Sequence, residues 1–141
     1  MAELKALLGD TLMKGTEKVS IEKALEGKTG ICLYFSAHWC PPCRGFTPKL
    51  SEVYKKKTEE EFEIVFVSSD RSEGDFTAYY SEMPWYALTW ENLGKLKDAL
   101  STKYAVTGIP KLVAIALDGT VIDMEGRGHV AGKNNLKFTN K

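Results

Sequence analysis

The sequence is poor in cysteine, with 3 in 141 residues. A small secreted domain stapled by disulfides would carry an even and denser set. It also lacks an excess of either charge: 19 Lys and Arg stand against 19 Asp and Glu. No broad field steers it towards nucleic acid or an anionic membrane surface, and neither partner is expected. Its longest unbroken apolar run, Leu112 to Leu117, falls far short of the roughly 20 residues of a membrane-spanning helix. The start of the chain has Glu3, Lys5, Gly9 and Asp10 where a secretory signal would have a long apolar core. A reducing compartment is therefore expected, the cytoplasm and also the nucleus. Repeats, low-complexity tracts and Ser/Gly/Pro-rich linkers are absent, so residues 1–141 read as one domain and a monomer. A chain of this length buries a sizeable core without a disulfide or a metal, which leaves the cysteines free for chemistry.

The hydrophobic pattern alternates between strands and helices. Residues 1–29 read as an N-terminal extension: a short helix on Leu4, Leu7 and Leu8, an edge strand at Thr11 to Met13, and a short helical piece at Ile21 to Leu25. Ile31 to Ser36 is apolar on both alternating sets, as in a central strand covered on both faces. Phe46, Leu50, Val53 and Tyr54 then mark a helix that ends in Lys55, Lys56 and Lys57, cations suited to the negative end of its dipole. Lys55 to Glu61 is a mixed-sign run and reads as a solvated helix end and loop. Phe62 to Val67 is a second buried strand, closed by Ser68, Ser69 and Asp70. Phe76, Tyr79 and Tyr80 mark one helix, and Leu93, Leu96, Leu100 and Tyr104 another. Lys111 to Leu117 and Thr120 to Met124 flank Asp118-Gly119, the signature of a two-residue hairpin. Residues 126–141, rich in Gly, Asn and Lys, read as a weakly ordered tail with a weak final helix. This order calls for parallel strands with right-handed crossovers followed by a hairpin, an α/β architecture.

One motif carries chemistry. Trp39-Cys40-Pro41-Pro42-Cys43 lies where a strand and a short loop hand over to a helix. Two thiols separated by two residues in a first helical turn can close into a disulfide, and the free N–H groups and dipole of that turn stabilise a thiolate. Cys40 is the better placed nucleophile, and Cys43, one turn inside, the resolving thiol. Pro41 and Pro42 fit a first turn, where a missing donor is not missed and φ is already helical. Closing so short a loop restricts the unfolded chain by only about 2 kcal/mol, which favours a reversible bridge over a staple. A zinc site would need a second pair of ligands, and only Cys32, His38 and His129 remain; no metal is expected. Cys32, in an apolar strand, reads as a small buried hydrophobe.

Ser36-Ala37-His38-Trp39-Cys40-Pro41-Pro42-Cys43-Arg44-Gly45-Phe46-Thr47-Pro48, together with Gly108-Ile109-Pro110, resembles the thioredoxin superfamily, and in particular its nucleoredoxin and tryparedoxin branch. Val67-Ser68-Ser69-Asp70-Arg71-Ser72-Glu73 and Ser81-Glu82-Met83-Pro84-Trp85 look more like nucleoredoxins, since tryparedoxins carry Trp-Asp-Glu-Glu at Ser69 to Ser72. The resemblance spans Gly30 to Gly128. Nucleoredoxins often have several such domains where this chain has one, so it reads as a compact homologue or as one domain of a larger protein.

The resemblance implies a three-layer thioredoxin-like fold, a central mixed sheet with helices on both faces. It implies reversible thiol-disulfide exchange on protein disulfides, with no cofactor beyond the Cys40–Cys43 pair and an external thiol or reductase as electron donor. It further implies a cis peptide at Ile109-Pro110, facing the cysteines, where the backbone of Ile109 pairs with an extended substrate segment. Trp39, Pro41, Pro42 and Pro110 would support the site; Trp39, Ile109, Pro110 and Arg127 would meet the substrate. Plainer readings stand beside these: Trp39 as core packing, Arg127 and His38 as surface residues, Asp70 and Arg71 as a solvated turn, Tyr34 as a core tyrosine with its hydroxyl satisfied. Tyr34 stands where thioredoxins have a buried Asp, and a phenol is a poor base at neutral pH. The rival to a protein-disulfide reductase is a redox-sensitive binding module in signalling, with little turnover.

Overall fold

The computed structural model describes residues 2–56 and 62–133; the run from 57 to 61 and the tail beyond 133 lie outside the described residues. The elements follow in the order α1 (Ala2–Leu8), β1 (Thr11–Lys14), β2 (Glu17–Ser20), α2 (Ile21–Ala24), β3 (Gly30–Ser36), α3 (Pro41–Lys56), β4 (Phe62–Ser68), α4 (Glu73–Tyr80), β5 (Tyr86–Leu88), α5 (Trp90–Lys103), β6 (Lys111–Ala116), β7 (Val121–Asp123) and α6 (Gly126–Lys133). The seven described strands form one mixed sheet in the order β2-β1-β5-β4-β3-β6-β7. The fold is thioredoxin-like α/β.

The apolar runs decide the middle of this sheet. Every residue of β3 and β4 is buried, which requires cover on both faces. The two strands run parallel in register from Gly30 opposite Phe62 to Ser36 opposite Ser68, and β6 runs antiparallel on the other side of β3. Helix α3 packs with α6, and α1 with α5. On the sheet, the Phe66 ring meets Tyr34, Phe76, Tyr79 and Tyr80. Trp85 is fully buried between the rings of Tyr34 and Tyr54.

Two local expectations are corrected, and one short strand is new. Thr11 to Met13 is not an edge strand: β1 pairs antiparallel with β2 on one side and β5 on the other. The β1–β2 hairpin closes through Gly15, whose φ of +63° suits glycine, and leaves β2 at the edge. The stretch after Trp85 contains β5, three residues long, with no periodicity to reveal it. The turn at Asp118-Gly119 is a three-residue loop, because the Ala116 amide donates to Thr120 O (2.8 Å) and the Gly119 amide to Ala116 O (2.9 Å). Gly119 has a φ of +89°, the glycine of a bulged hairpin.

At the end of β3 the parallel pair stops. The loops leaving β3 and β4 meet there, tied by the Ser69 amide donating to Ser36 O at 2.8 Å. Carboxyl ends of parallel strands are where α/β folds assemble their sites.

Candidate active site

Cys40 ends the loop after β3, and α3 begins at Pro41. The prolines occupy the first two helical positions and carry no N–H, so the first amide the helix presents is that of Cys43. That amide donates to Cys40 Sγ at 3.4 Å, while the Arg44 amide closes the first turn onto Cys40 O at 3.1 Å. Cys40 thus acts as an N-cap through its sulfur. The two cysteines are joined in a disulfide with Cα atoms 5.2 Å apart. Cys40 keeps 5% of its surface accessible and Cys43 none.

Ile109 and Pro110 come from the loop before β6, across from the disulfide. Their peptide bond is cis. The Ile109 carbonyl lies 3.8 Å from Cys40 Sγ, and its side chain packs against Ala37, Cys40 and Cys43. Arg127, in the first turn of α6, donates from Nη1 to Pro110 O at 3.0 Å, with its guanidinium 5.6 Å from the Phe46 ring. Pro110 is buried, Arg127 exposed.

Trp39 stands out of this surface, 48% exposed. Its indole Nε1 donates to Ser69 O at 3.0 Å, and the Arg71 guanidinium lies 5.0 Å from its ring. The loop is fixed from below by Asp70, 7% exposed: Oδ1 accepts the His38 amide (2.8 Å) and Oδ2 the Ser68 hydroxyl (2.7 Å). Asp70 is therefore a buried acceptor and not part of a solvated turn. The His38 ring faces Tyr79, at 5.5 Å between centroids.

Beneath Cys43 lies a chain of hydroxyls that the sequence did not announce. Thr47 Oγ1 donates to Cys43 O at 2.9 Å. That spends its one proton, so it accepts from Tyr34 at 2.6 Å and Tyr79 at 2.7 Å. Tyr79, having donated to Thr47, accepts from Ser36 at 2.8 Å. Four buried hydroxyls converge in this way on the carbonyl of Cys43. Tyr34 is a satisfied core tyrosine, and burial holds its phenol above the ordinary tyrosine range.

The residues singled out from the sequence thus converge on one surface: Cys40, Cys43, Pro41 and Pro42 from α3, Ile109 and Pro110 from the cis turn, Trp39 from the β3 loop and Arg127 from α6. Asp70, Thr47, Tyr79 and Ser36 join them through the fold. Cys32 is buried and takes no part in the disulfide. Among the described residues, no group of three or more His, Cys, Asp or Glu is placed to hold a metal ion, and no helix is long and apolar enough to cross a membrane.

A family model described as thioredoxin-like matches residues 27–121. Probable nucleoredoxin 1 of Arabidopsis thaliana is 49% identical over 119 residues, covering 82% of this chain and 20% of the relative. Tryparedoxin of Trypanosoma brucei brucei is 43% identical over 129 residues, covering 89% of this chain and 88% of its own. The solved tryparedoxin II of C. fasciculata superposes with a TM-score of 0.86 at 38% identity, covering 94% of this chain and 89% of that one. A tryparedoxin II solved with glutathionylspermidine bound gives a TM-score of 0.85 at 38% identity, covering 94% of this chain and 93% of that one. The chain spans 20%, 28% and 31% of the nucleoredoxins of Arabidopsis thaliana, Danio rerio and Mus musculus.

Proposed function

Because the chain belongs to the thioredoxin-like family, in its nucleoredoxin and tryparedoxin branch, we propose that it is a thiol-disulfide oxidoreductase that reduces protein disulfides through its Cys40–Cys43 pair. The observation that carries this reading is the pairing of the two cysteines across the first turn of α3, with Cys40 at the surface and Cys43 sealed.

In the reduced enzyme Cys40 is the thiolate. The Cys43 amide at its sulfur and the positive end of α3 favour the charged form, as at other helix N-termini. The thiolate attacks one sulfur of a substrate disulfide; the Cys40–substrate bond forms, the substrate S–S bond breaks, and the second substrate sulfur leaves as thiolate and takes a proton. Cys43 loses its proton and attacks Cys40 Sγ, forming the intramolecular disulfide and releasing the first substrate sulfur. Two electrons have passed to the substrate. An external dithiol or reductase returns them; the glutathionylspermidine complex of a tryparedoxin II supports a low-molecular-weight thiol as one donor class.

Trp39, Ile109, Pro110 and Arg127 form the substrate rim. An extended substrate segment lies along Ile109, whose carbonyl faces Cys40, and Trp39 gives it an apolar surface. Pro41 and Pro42 hold the motif in its helical turn. The protein works without a bound cofactor, as a monomer, in the cytoplasm and nucleus.

The test is insulin reduction with dithiothreitol as donor. Turnover well above the donor alone is expected, and Cys43→Ser should accumulate mixed disulfides at Cys40, seen by mass spectrometry under non-reducing conditions. A folded protein that does not accelerate the reaction refutes the reductase reading and leaves the redox-sensitive binding module. Adducts elsewhere than Cys40 refute the assignment of nucleophile.

A further inference from the structure

We propose that Arg71 is a specificity-determining residue that directs the site towards disulfides flanked by acidic side chains. The inference rests on the reductase reading and names the substrate class for that same site.

Two guanidinium groups are attached to residues that border Cys40, which is itself 5% exposed. On one side Arg71 lies 5.0 Å from the ring of Trp39, the residue before Cys40. On the other, Arg127 is held at Pro110 O (3.0 Å), next to the Ile109 carbonyl that faces Cys40 Sγ. Both are exposed at their surface, and neither is ion-paired with a carboxylate among the described residues.

Asp70, the carboxylate next to Arg71 in the chain, is engaged within the fold, and Glu52 and Glu82 line a groove with His38, Arg44 and Tyr79. Both Asp70 oxygens accept hydrogen bonds, from the His38 amide and the Ser68 hydroxyl, inside a side chain that is 7% exposed. Glu125 lies 3.3 Å from Lys111, and Glu73 opens α4 with its side chain in solvent. The two cations thus stand on different elements of the rim, Arg71 on the Trp39 ring and Arg127 at Pro110 O.

The mode of attachment fits a recognition role. A guanidinium laid on an aromatic face is weakly hydrated and pre-positioned, and it keeps its N–H edge free for a carboxylate in a two-pronged geometry. Trp39 is in turn anchored through its indole N–H to Ser69 O at 3.0 Å, so the platform that orients Arg71 is fixed by the loop that carries it. A rim cation of this kind acts on encounter rate and partner choice. An exposed charge pair changes kcat/KM by roughly fivefold, and exchanging attraction for repulsion by roughly tenfold or more.

The experiment uses two peptides with one internal disulfide, identical except that the residues flanking the cysteines are Asp and Glu in one and Lys in the other. Dithiothreitol, which is uncharged, is the donor for both. The wild-type chain is expected to favour the acidic peptide by about tenfold in kcat/KM, with the preference shrinking as salt is raised. Arg71→Glu should lower the acidic-to-basic ratio by about tenfold, and Arg71→Lys should keep its direction. The ratio within each variant cancels any general loss of folded protein. Equal turnover of both peptides by the wild type, or an unchanged ratio in Arg71→Glu, overturns the charge preference while the reductase reading stands. Failure of the wild type on both peptides and on insulin overturns the two together.

Discussion

Replacing Thr47 by valine removes a hydroxyl while keeping the side chain's shape, and its cost follows from where the protons lie. Thr47 gives its proton to Cys43 O and accepts from Tyr34 and Tyr79. With valine there, Tyr34 falls back on Cys43 O, already 3.4 Å away. Tyr79 must turn its proton towards Ser36, whose own proton turns to the Tyr34 hydroxyl. One bond is lost outright and the bond to Cys43 O is replaced by a longer one, at about 1 kcal/mol each, so the variant should lose about 2 kcal/mol. Thr47→Ser keeps the hydroxyl and loses one methyl, about 1 kcal/mol. Urea unfolding of the oxidised proteins, followed by far-ultraviolet circular dichroism, gives both numbers provided the slope is unchanged. A valine variant within about 0.5 kcal/mol of the serine variant would refute the hydroxyl chain as a source of stability.

Asp70→Ala strands the His38 amide and the Ser68 hydroxyl beneath the Trp39 loop; a loss of about 2 kcal/mol in the same urea assay is expected, and a neutral outcome would show that water replaces the carboxylate. Gly30→Ala places a methyl 2.5 Å from both Ile115 O and the Phe62 ring, so this variant should lose about 2 kcal/mol or more, or fail to accumulate as folded protein. The buried tyrosines make the fold sensitive to alkali. Burial pushes the Tyr80 phenol up to about 12, and Tyr34 and Tyr54 also above the ordinary value of 10. A raised folded value favours the protonated native form, so this stability is intact below pH 10 and drains away as the pH climbs towards 12. Tyrosinate absorbance rising together with loss of circular dichroism in that window confirms it; ionisation of all six tyrosines without unfolding refutes it.

What could be read from the sequence is what local pattern encodes. The apolar runs of β3, β4 and β6 and the helical stripe of α3 each carry their own signal, and so does a pair of cysteines at the start of a helix. Strand β2, Glu17–Ser20, has one apolar residue, and β5 is three residues long; both exist because a neighbour offers them a ladder. The hydroxyl chain was illegible for the same reason. Thr47 lies 13 residues from Tyr34 and 32 from Tyr79, and only the crossing of α3 over the sheet brings them together. Arg71 gains its meaning in the same way, from the loop that returns it to Trp39. Tyr34 and Cys32 were legible as core because burial of a strand is a property of the strand itself.

The two prolines between the cysteines have a further consequence. A dithiol closes into a disulfide in proportion to the concentration each sulfur presents to the other, and in an unfolded tetrapeptide that concentration is diluted over many backbone shapes. Pro41 and Pro42 each have φ fixed by their ring, and α3 fixes the rest. The freedom that reduction would otherwise release is withheld, so the sulfurs stay at high effective molarity in the open form. Closure then costs little entropy, and the balance of the pair is tilted towards its disulfide form.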